Sequence, residues 1–292
     1  MNNSLLANSD ILKFTLPVRP KDGHKGTFGQ VLIVAGSRDM SGAAYLAAKA
    51  CYRAGAGLCR ILTPRENLPV LAALLPEALL TGYNADAPEL PILAKALSSA
   101  DVLVLGCGMG TSSSARTVLS YFLRHRSIPT ILDADALNLI AKSSMLLQRA
   151  KGAILTPHAK EMARLCGCSV EEITADPVGI AQSFAEKHGV VCVLKGHRTV
   201  VADGTGRIYE NKTGNCGMAT GGSGDVLAGI IGGLAAGCRL EDSDLFRPAV
   251  LGVHLHGMSG DHAADRLGEY SLMASDLIDS LPHAMKELLA KQ

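Results

Sequence analysis

Short, continuous apolar runs recur along this chain, and segments with helical spacing separate them. Such runs are typical of strands that are buried on both faces of a parallel sheet. The predicted strands are residues 30–35, 58–62, 101–105, 130–132, 153–155 and 190–194. Because helical segments lie between them, we predict a three-layer α/β/α sandwich with a mostly parallel central sheet.

The first predicted helix, residues 42–55, carries mostly small side chains on one face, which lets the helix lie close to its sheet. That face holds Ala43, Leu46, Ala47, Ala50 and Ala54. Later in the chain, residues 199–202 and 207–209 predict a hairpin around a glycine-containing turn. Residues 222–236, 244–264 and 275–289 are then predicted helices. No linker, repeat or low-complexity segment divides the 292 residues, so we expect a single domain over residues 1–292.

Charge and hydropathy exclude several classes of protein. The chain has 28 basic and 27 acidic residues, for a net charge of +1, which argues against a nucleic-acid or membrane-surface binder. No apolar run reaches the ~18 residues of a membrane span, and residues 1–14 lack the pattern of a secretory signal. The eight cysteines form no CxxC pair. We therefore expect free thiols and a reducing cytoplasm.

The most unusual residues follow predicted strands. Right-handed crossovers place the carboxyl ends of parallel strands at one edge of the sheet, where ligands bind. The segments GCGMG (106–110), DADALN (133–138), TPHAKE (156–161) and KGHRT (195–199) all come directly after a strand. We expect them to meet at that edge.

The segment TGNCGMATGGSGD (213–225) leads directly into a predicted helix. Glycine-rich backbone at a helix start presents unpaired N–H groups, which suit a phosphate. Asp225 would repel that phosphate unless it accepts a proton from a substrate hydroxyl as phosphate is transferred. The simpler alternative is a helix start with an acidic first turn. Without GxxxxGK[ST], this is not a P-loop.

The other motifs are less specific. Gly108 could bring main-chain N–H groups to a pyrophosphate, although GxGxxG is not met. Glu161 lies three residues after His158, so His158 could contact ligand while Glu161 holds Mg²⁺ directly or through water. The alternative there is an ordinary helix start. Lys195, Arg198 and their neighbours suit a nucleotide phosphate or ribose, or form a solvated turn.

Several polar residues keep more than one interpretation. Lys25, in HKGTFG, could reach a phosphate or lie in a solvated loop. Asp133 and Asp135 could bind Mg²⁺ or cap the following helix. His254 and His256 are two residues apart, and a zinc pair on a helix prefers a spacing of four, so helix packing is favoured for them.

Seven segments in this order resemble the ADP/ATP-dependent NAD(P)H-hydrate dehydratases of the ribokinase-like superfamily. They are HKGTFG, VLIVAGSRDMSGAA, GCGMG, DADALN, TPHAKE, VVCVLKG and NKTGNCGMATGGSGDVLAG, and the match runs from about residue 19 to about residue 264. The resemblance implies a ribokinase-like fold. It also implies repair of hydrated NADH and NADPH, in which the S form is dehydrated at the expense of ADP or ATP with Mg²⁺, releasing AMP and phosphate when ADP is used.

The resemblance also implies residue roles. Asp225 would be the catalytic base. The residues that would contact the hydrated dinucleotide are Ala44, Gly108, His158 and Asp225. The residues that would hold the adenine nucleotide are Lys195, Gly196, His197, Arg198, Thr199 and Gly224. For Mg²⁺, the candidate ligand stays Glu161, on its spacing from His158 rather than on the resemblance.

Three further expectations follow from the resemblance. The protein would be a homotetramer. Only about 18 residues precede the matched region, so the chain would lack an N-terminal epimerase domain and depend on a separate NAD(P)H-hydrate epimerase.

Two other functions stay open: a small-molecule kinase of the hydroxyethylthiazole or hydroxymethylpyrimidine type, and a non-catalytic nucleotide-binding regulator. The residues do not decide between ADP and ATP, or between NADH and NADPH hydrates.

Overall fold

The computed structural model describes residues 4–6, 14–238 and 244–291. Most of the segment 1–14, for which we expected no secretory signal, lies outside these residues. The strands are β1 Ser4–Leu6, β2 Gln30–Val34, β3 Leu58–Pro64, β4 Leu79–Tyr83, β5 Val102–Leu105, β6 Thr130–Leu132, β7 Ile154–Leu155, β8 Val191–Leu194, β9 Val200–Ala202 and β10 Arg207–Glu210.

The helices follow the same alternation. They are α1 Ser41–Arg53, α2 Leu68–Leu74, α3 Leu90–Leu97, α4 Ser113–His125, α5 Ala134–Ile140, α6 Ser144–Arg149, α7 Ala159–Cys166, α8 Val170–Ala175, α9 Pro177–His188, α10 Ser223–Gly237, α11 Phe246–Leu267 and α12 Ala274–Lys291. Within the described ranges, no helix is both long and apolar enough to cross a membrane.

The strands form one sheet in the order β1-β10-β9-β8-β7-β6-β5-β2-β3-β4. The seven strands from β8 to β4 pair in parallel, and β9 is antiparallel to both β8 and β10. The mostly parallel sheet and the hairpin β9–β10 are therefore confirmed. All six predicted parallel strands are present, with bounds within two residues of those expected.

Side chains of the central strands alternate between two apolar cores. In β2, Val31 and Ile33 face one core, whereas Leu32 and Val34 face the other. The first core lies under α1, α2, α10, α11 and α12, and the second lies under α3 to α9. This is the predicted α/β/α sandwich, because a parallel sheet must be covered on both faces.

Helix α1 packs directly against α10. A Cβ added at Gly229 of α10 would lie 2.2 Å from the Ala47 carbonyl oxygen of α1, and one at Gly233 would lie 2.4 Å from the Cys51 carbonyl oxygen. The predicted small face of α1 was partly wrong. Ala44, Ala48 and Cys51 are fully buried, because α1 is enclosed by both the sheet and α10, while two predicted residues, Ala43 and Leu46, are only half-buried.

We expect Gly229→Ala to lower the free energy of unfolding by about 1–3 kcal/mol, because the added methyl group meets backbone that cannot move aside. Gly42→Ala is the matched control on α1, since a Cβ there meets nothing within 4 Å. Urea denaturation of the two variants measures both effects. Equal stability of both variants would contradict the close packing of α1 and α10.

Candidate active site

Loops that follow the parallel strands meet at the carboxyl edge of the sheet and are bonded to one another. The Gly36 N–H donates to the Cys107 carbonyl at 2.8 Å, and the Lys195 N–H donates to the Pro157 carbonyl at 2.8 Å. Asp133 lies between them, at the end of β6. The four predicted motif segments are therefore together at one edge, as the strand pattern indicated.

Helix α10 begins at the same edge with an open N-terminus. Its N-cap is Gly222, which has a φ of +91° and makes no side-chain cap. The left-handed conformation favours glycine, and a Cβ there would also lie 2.4 Å from Leu46 Cδ1. The backbone N–H groups of Gly224 and Asp225 have no hydrogen-bond partner among the described residues. These groups form the positive end of the helix and suit a phosphate.

The Asp225 side chain is partly exposed in the first turn of α10, so its carboxylate is not sealed in the core. One oxygen of Asp225, one oxygen of Asp133 and the Cys107 Sγ lie within 4.8 Å of one another. The pKa of Asp225 is raised to about 7, mainly by burial and then by the charge of Asp133, against the opposing effects of a hydrogen bond from Cys107 and the charge of Lys195. A carboxylate with a pKa near 7 is well matched to general-base chemistry.

Lys195 forms a shielded ion pair with Asp133. Its Nζ lies 2.8 Å from Asp133 Oδ1, and the two side chains are 19% and 1% exposed. Thr156 Oγ1 donates to the same Asp133 oxygen at 2.6 Å. Burial by itself lowers the pKa of Lys195, but the Asp133 and Glu161 carboxylates raise it above its usual value. The ammonium group also lies 3.2 Å from where a Cβ of Gly224 would be, beside the open helix end.

His158 and Glu161 form a reciprocal cap at the start of α7. His158 Nδ1 accepts from the backbone N–H of Lys160 at 3.1 Å, and the Glu161 carboxylate accepts from the His158 N–H at 2.9 Å. Because Nδ1 accepts, the neutral ring carries its proton on Nε2, which lies 3.4 Å from the other Glu161 oxygen. Burial raises the pKa of Glu161 to about 7. Burial also lowers the pKa of His158.

The described residues contain no preformed cage of oxygen ligands for Mg²⁺. The trio of Cys107, Asp133 and Asp225 includes a thiol, and Asp133 is already paired with Lys195. Both oxygens of Glu161 are engaged by His158, so direct coordination of an ion would compete with these contacts. Mg²⁺ commonly keeps several waters and binds through one or two carboxylates plus substrate phosphates. The site therefore fits an ion that arrives with phosphate groups.

A cavity of 690 Å³ adjoins the open end of α10. Of the residues predicted to hold a nucleotide, its walls include Lys195, Gly196, His197, Thr199 and Gly224, and His158 also lines it. Apolar walls come from Met218, Leu227 and Val253. The cavity thus combines an apolar surface with phosphate-binding groups at one end.

Arg198 is the exception among the predicted nucleotide residues. Its guanidinium is directed to Glu210 Oε1, 3.4 Å away, and it does not line the cavity. The strand pairing explains this orientation, because Arg198 precedes β9 and Glu210 ends the antiparallel neighbour β10. The solvated alternative applies to Arg198, whereas its neighbours face the cavity.

Ala44 and Gly108 do not present a surface to a ligand. Ala44 is fully buried in α1, and Gly108 is buried beneath it. Gly108 has a φ of +58°, and a Cβ there would lie 2.7 Å from Ala43 Cβ, so glycine is required for the loop to pack on α1. In this structure both residues serve the packing of α1, and their contacts with substrate stay a prediction.

The HKGTFG segment lies at the opposite edge of the sheet, just before β2. His24 caps a short 3-10 helix over Lys25–Phe28. A Cβ at Gly57 would lie 1.8 Å from the Lys25 carbonyl oxygen, which shows how tightly this backbone is packed. Lys25 is exposed at this distant edge, so within one chain the solvated-loop alternative applies to it rather than the phosphate role.

Both histidines of HLHG make helix-packing contacts, as favoured from their spacing, although His254 is buried while His256 is half-buried and lines the cavity. His254 Nδ1 contacts the Tyr209 hydroxyl at 3.0 Å, and His256 Nε2 contacts the Ser223 carbonyl at 3.0 Å. Burial lowers the pKa of each to about 4. His256 thereby reaches the first residue of α10.

One residue at the site escaped the sequence analysis. Asp261 of α11 accepts from the Gly214 N–H at 2.9 Å and from the Asn215 side chain at 3.1 Å. It therefore fixes the start of the glycine-rich segment that ends at Asp225. No sequence signal marks Asp261, because a single acidic residue in a long helix is ordinary.

Comparison with known proteins agrees with this geometry. Residues 31–283 match the family described as NAD(P)H-hydrate dehydratase. A bifunctional NAD(P)H-hydrate repair enzyme of Moorella thermoacetica is 41% identical over 94% of this chain and 52% of its own length. An ADP-dependent (S)-NAD(P)H-hydrate dehydratase of Neisseria meningitidis is 40% identical over 86% of this chain and 82% of its own length.

Solved structures give the same result for the fold. A ribokinase-like superfamily protein of Enterococcus faecalis superposes with a TM-score of 0.84 at 31% identity, covering 97% of this chain and 95% of its own. An ADP/ATP-dependent NAD(P)H-hydrate dehydratase of Bacillus subtilis, co-crystallised with ATP and Mg²⁺, superposes with a TM-score of 0.82 at 32% identity, and the match covers 99% of each chain.

The fold and the open helix end define a ribokinase-like protein. Within that class, the chain belongs to the NAD(P)H-hydrate dehydratase family. The chain spans about half the length of several curated relatives that it matches, including 52% of the Moorella enzyme.

We expect Lys195→Ala to weaken ADP binding about tenfold or more, because a charged hydrogen-bond donor to phosphate contributes about 1.5–3 kcal/mol. Arg198→Ala, which removes a neighbouring cation directed to Glu210, is the matched control and should change the Kd less than twofold. Isothermal titration with ADP and Mg²⁺ measures both. Equal losses in the two variants would mean that the loop acts through its total charge.

Proposed function

We propose that the protein dehydrates the S form of hydrated NADH or NADPH at the expense of ADP, yielding NAD(P)H, AMP and phosphate. The observation that carries this proposal is the position of Asp225. Its carboxylate lies in the open first turn of α10, next to Gly224, which lines the 690 Å³ cavity. Membership of the dehydratase family supports the choice of substrate.

The nucleotide would lie in the cavity with its transferred phosphate at the α10 N-terminus. Met218, Leu227 and Val253 offer an apolar surface for the base. Lys195 and the free N–H groups of Gly224 and Asp225 would face the phosphate charge. These fixed donors stabilise the charge that develops during transfer.

Asp225 would accept the proton of the ring hydroxyl while the hydroxyl oxygen attacks the terminal phosphorus of ADP, releasing AMP. The bond between the ring carbon and the ester oxygen then breaks and inorganic phosphate leaves, because the ring nitrogen donates electrons to that carbon. Loss of a proton from the neighbouring carbon restores the double bond. His158, which lines the same cavity, would contact the dinucleotide.

Mg²⁺ is part of the proposal, since it would neutralise charge on the phosphates of the nucleotide. Glu161 would act on that ion through water, because both of its oxygens are engaged by His158. Co-crystallisation of the Bacillus relative with ATP together with Mg²⁺ supports this pairing of nucleotide and ion.

The biological setting is also proposed. The S form is one of two epimers, so an NAD(P)H-hydrate epimerase activity must convert the R form, and the Moorella relative is named as bifunctional. All eight cysteines are free thiols, which supports a cytoplasmic location. The homotetramer implied by the family resemblance would be tested by light scattering.

The direct test mixes pure protein with hydrated NADH, ADP and Mg²⁺. We expect recovery of absorbance at the reduced-nicotinamide band, with AMP and free phosphate formed in equal amounts. A stable phosphate ester would instead support the small-molecule kinase. Nucleotide binding without any turnover would support the regulator.

Asp225→Asn should lower kcat by at least about a hundredfold and change the Kd for ADP by less than threefold, because proton transfer contributes mainly in the transition state. Steady-state kinetics and ADP titration separate these effects. A change confined to KM would remove Asp225 from the role of base.

The rate should also depend on pH. Because the pKa of Asp225 is raised to about 7, kcat/KM should rise with pH and reach half of its plateau near pH 7, falling about tenfold per unit below it. Glu161→Gln is the control, since Glu161 also titrates near 7. The fall of kcat/KM below pH 7 is the acidic limb of the profile. If the Glu161→Gln variant lacks this limb, the limb belongs to Glu161 and not to Asp225.

A further inference from the structure

Asp133 does not play the helix-capping role that its sequence position suggests. It occupies the N-cap of α5, yet its side chain makes no cap hydrogen bond. The next residue, Ala134, has a φ of +47° and is the one non-glycine residue with positive φ in the described part of the chain. Such backbone is strained and costs on the order of 1–3 kcal/mol. The strain accompanies a carboxylate that points into the site.

The Asp133 carboxylate makes three contacts with separate loops. Oδ1 accepts from Lys195 Nζ at 2.8 Å and from Thr156 Oγ1 at 2.6 Å. Oδ2 faces Cys107 Sγ at 3.8 Å. The side chain is 1% exposed, so these contacts fix it in one orientation. It cannot turn away from Asp225 without losing both strong hydrogen bonds.

The Asp133 carboxylate lies close to that of Asp225, since one oxygen of each and the Cys107 Sγ are within 4.8 Å of one another. Four groups act electrostatically on the Asp225 carboxylate. Asp133 at the end of β6 and Asp135 in α5 are acidic, Cys107 follows β5, and Lys195 follows β8. The Cys107 pKa is raised well above its usual value by burial and by both carboxylates, so this thiol stays neutral and donates. Asp133 and Lys195 therefore act on Asp225 with opposite signs.

We infer that Asp133 is a positioning residue, which holds the Lys195 ammonium beside the first turn of α10 and keeps a fixed negative charge facing Asp225, making Asp225 a stronger base. The inference rests on the proposed function for its catalytic meaning. Its physical content, a charge that acts on Asp225, does not need turnover to be measured.

The test is a carboxyl ¹³C NMR titration of Asp225 in the full-length protein, with its signal assigned by the Asp225→Asn variant. Asp133→Asn keeps the shape of the side chain and removes its charge, so the pKa of Asp225 should fall by about one unit or more. Lys195→Ala removes the opposing cation, so the pKa should rise. Thr156→Val removes one hydrogen bond to Asp133 but no charge, and should shift the pKa by less than about 0.3.

Opposite shifts in Asp133→Asn and Lys195→Ala would support the inference, since general damage to the fold would not produce opposite signs. An Asp225 pKa that is unchanged in Asp133→Asn would overturn it. If Asp133→Asn does not fold, Lys195→Ala decides, and an unchanged or lowered Asp225 pKa in that variant overturns the inference.

Turnover gives a second readout. In Asp133→Asn, the acidic limb of kcat/KM should move to lower pH by the same amount as the NMR pKa, while kcat on the plateau falls because the base is weaker. If the wild-type protein does not dehydrate the hydrate, the proposed function fails, yet the NMR shifts still test Asp133. If it does dehydrate the hydrate and the limb of Asp133→Asn stays in place, only the role of Asp133 fails.

Discussion

The site depends on how closely α10 lies against α1. Glycines at Gly229 and Gly233 bring the α10 backbone into contact with carbonyl groups of α1, and no larger residue would fit. This contact fixes where α10 begins, and its first turn carries Asp225 and the free N–H groups. A helix that is buried along its length thus delivers an unsatisfied polar end to the edge of the sheet. The same helix, α10, therefore contributes both to packing in the core and to the chemistry at the edge of the sheet.

The central sheet could be predicted because its strands are buried on both faces and therefore appear as continuous apolar runs. Strand β4 has a different character: Leu79 is exposed, the next three residues are half-buried, and only the last, Tyr83, is buried. It gives no such run and was not predicted. The width of the buried face of α1 also escaped prediction, because it depends on α10, a helix more than 160 residues later in the chain.

Part of the site could be predicted because loops after parallel strands must converge at one edge. The direction of each side chain could not. Asp133 forms an ion pair with Lys195, which lies 62 residues later in the chain, and spacing along the sequence does not indicate this pair. Arg198 and Lys195 have similar chemistry and lie in one loop, yet one faces Glu210 and the other faces Asp133. His158 and Glu161 form the helix start that was the alternative for their motif, and the cap directs the Glu161 carboxylate to His158.

Burial of two carboxyl groups couples reactivity to thermodynamic cost. The pKa of Asp225 is raised from 3.8 to about 7, and that of Glu161 from 4.5 to about 7. The native state therefore holds protons that the unfolded chain has already released between about pH 4 and 7, and the free energy of unfolding decreases as pH rises through this window. Selection for stability alone would replace these acids with neutral amides. Their presence indicates that this chain retains carboxyl groups with a raised pKa at a cost in the free energy of unfolding.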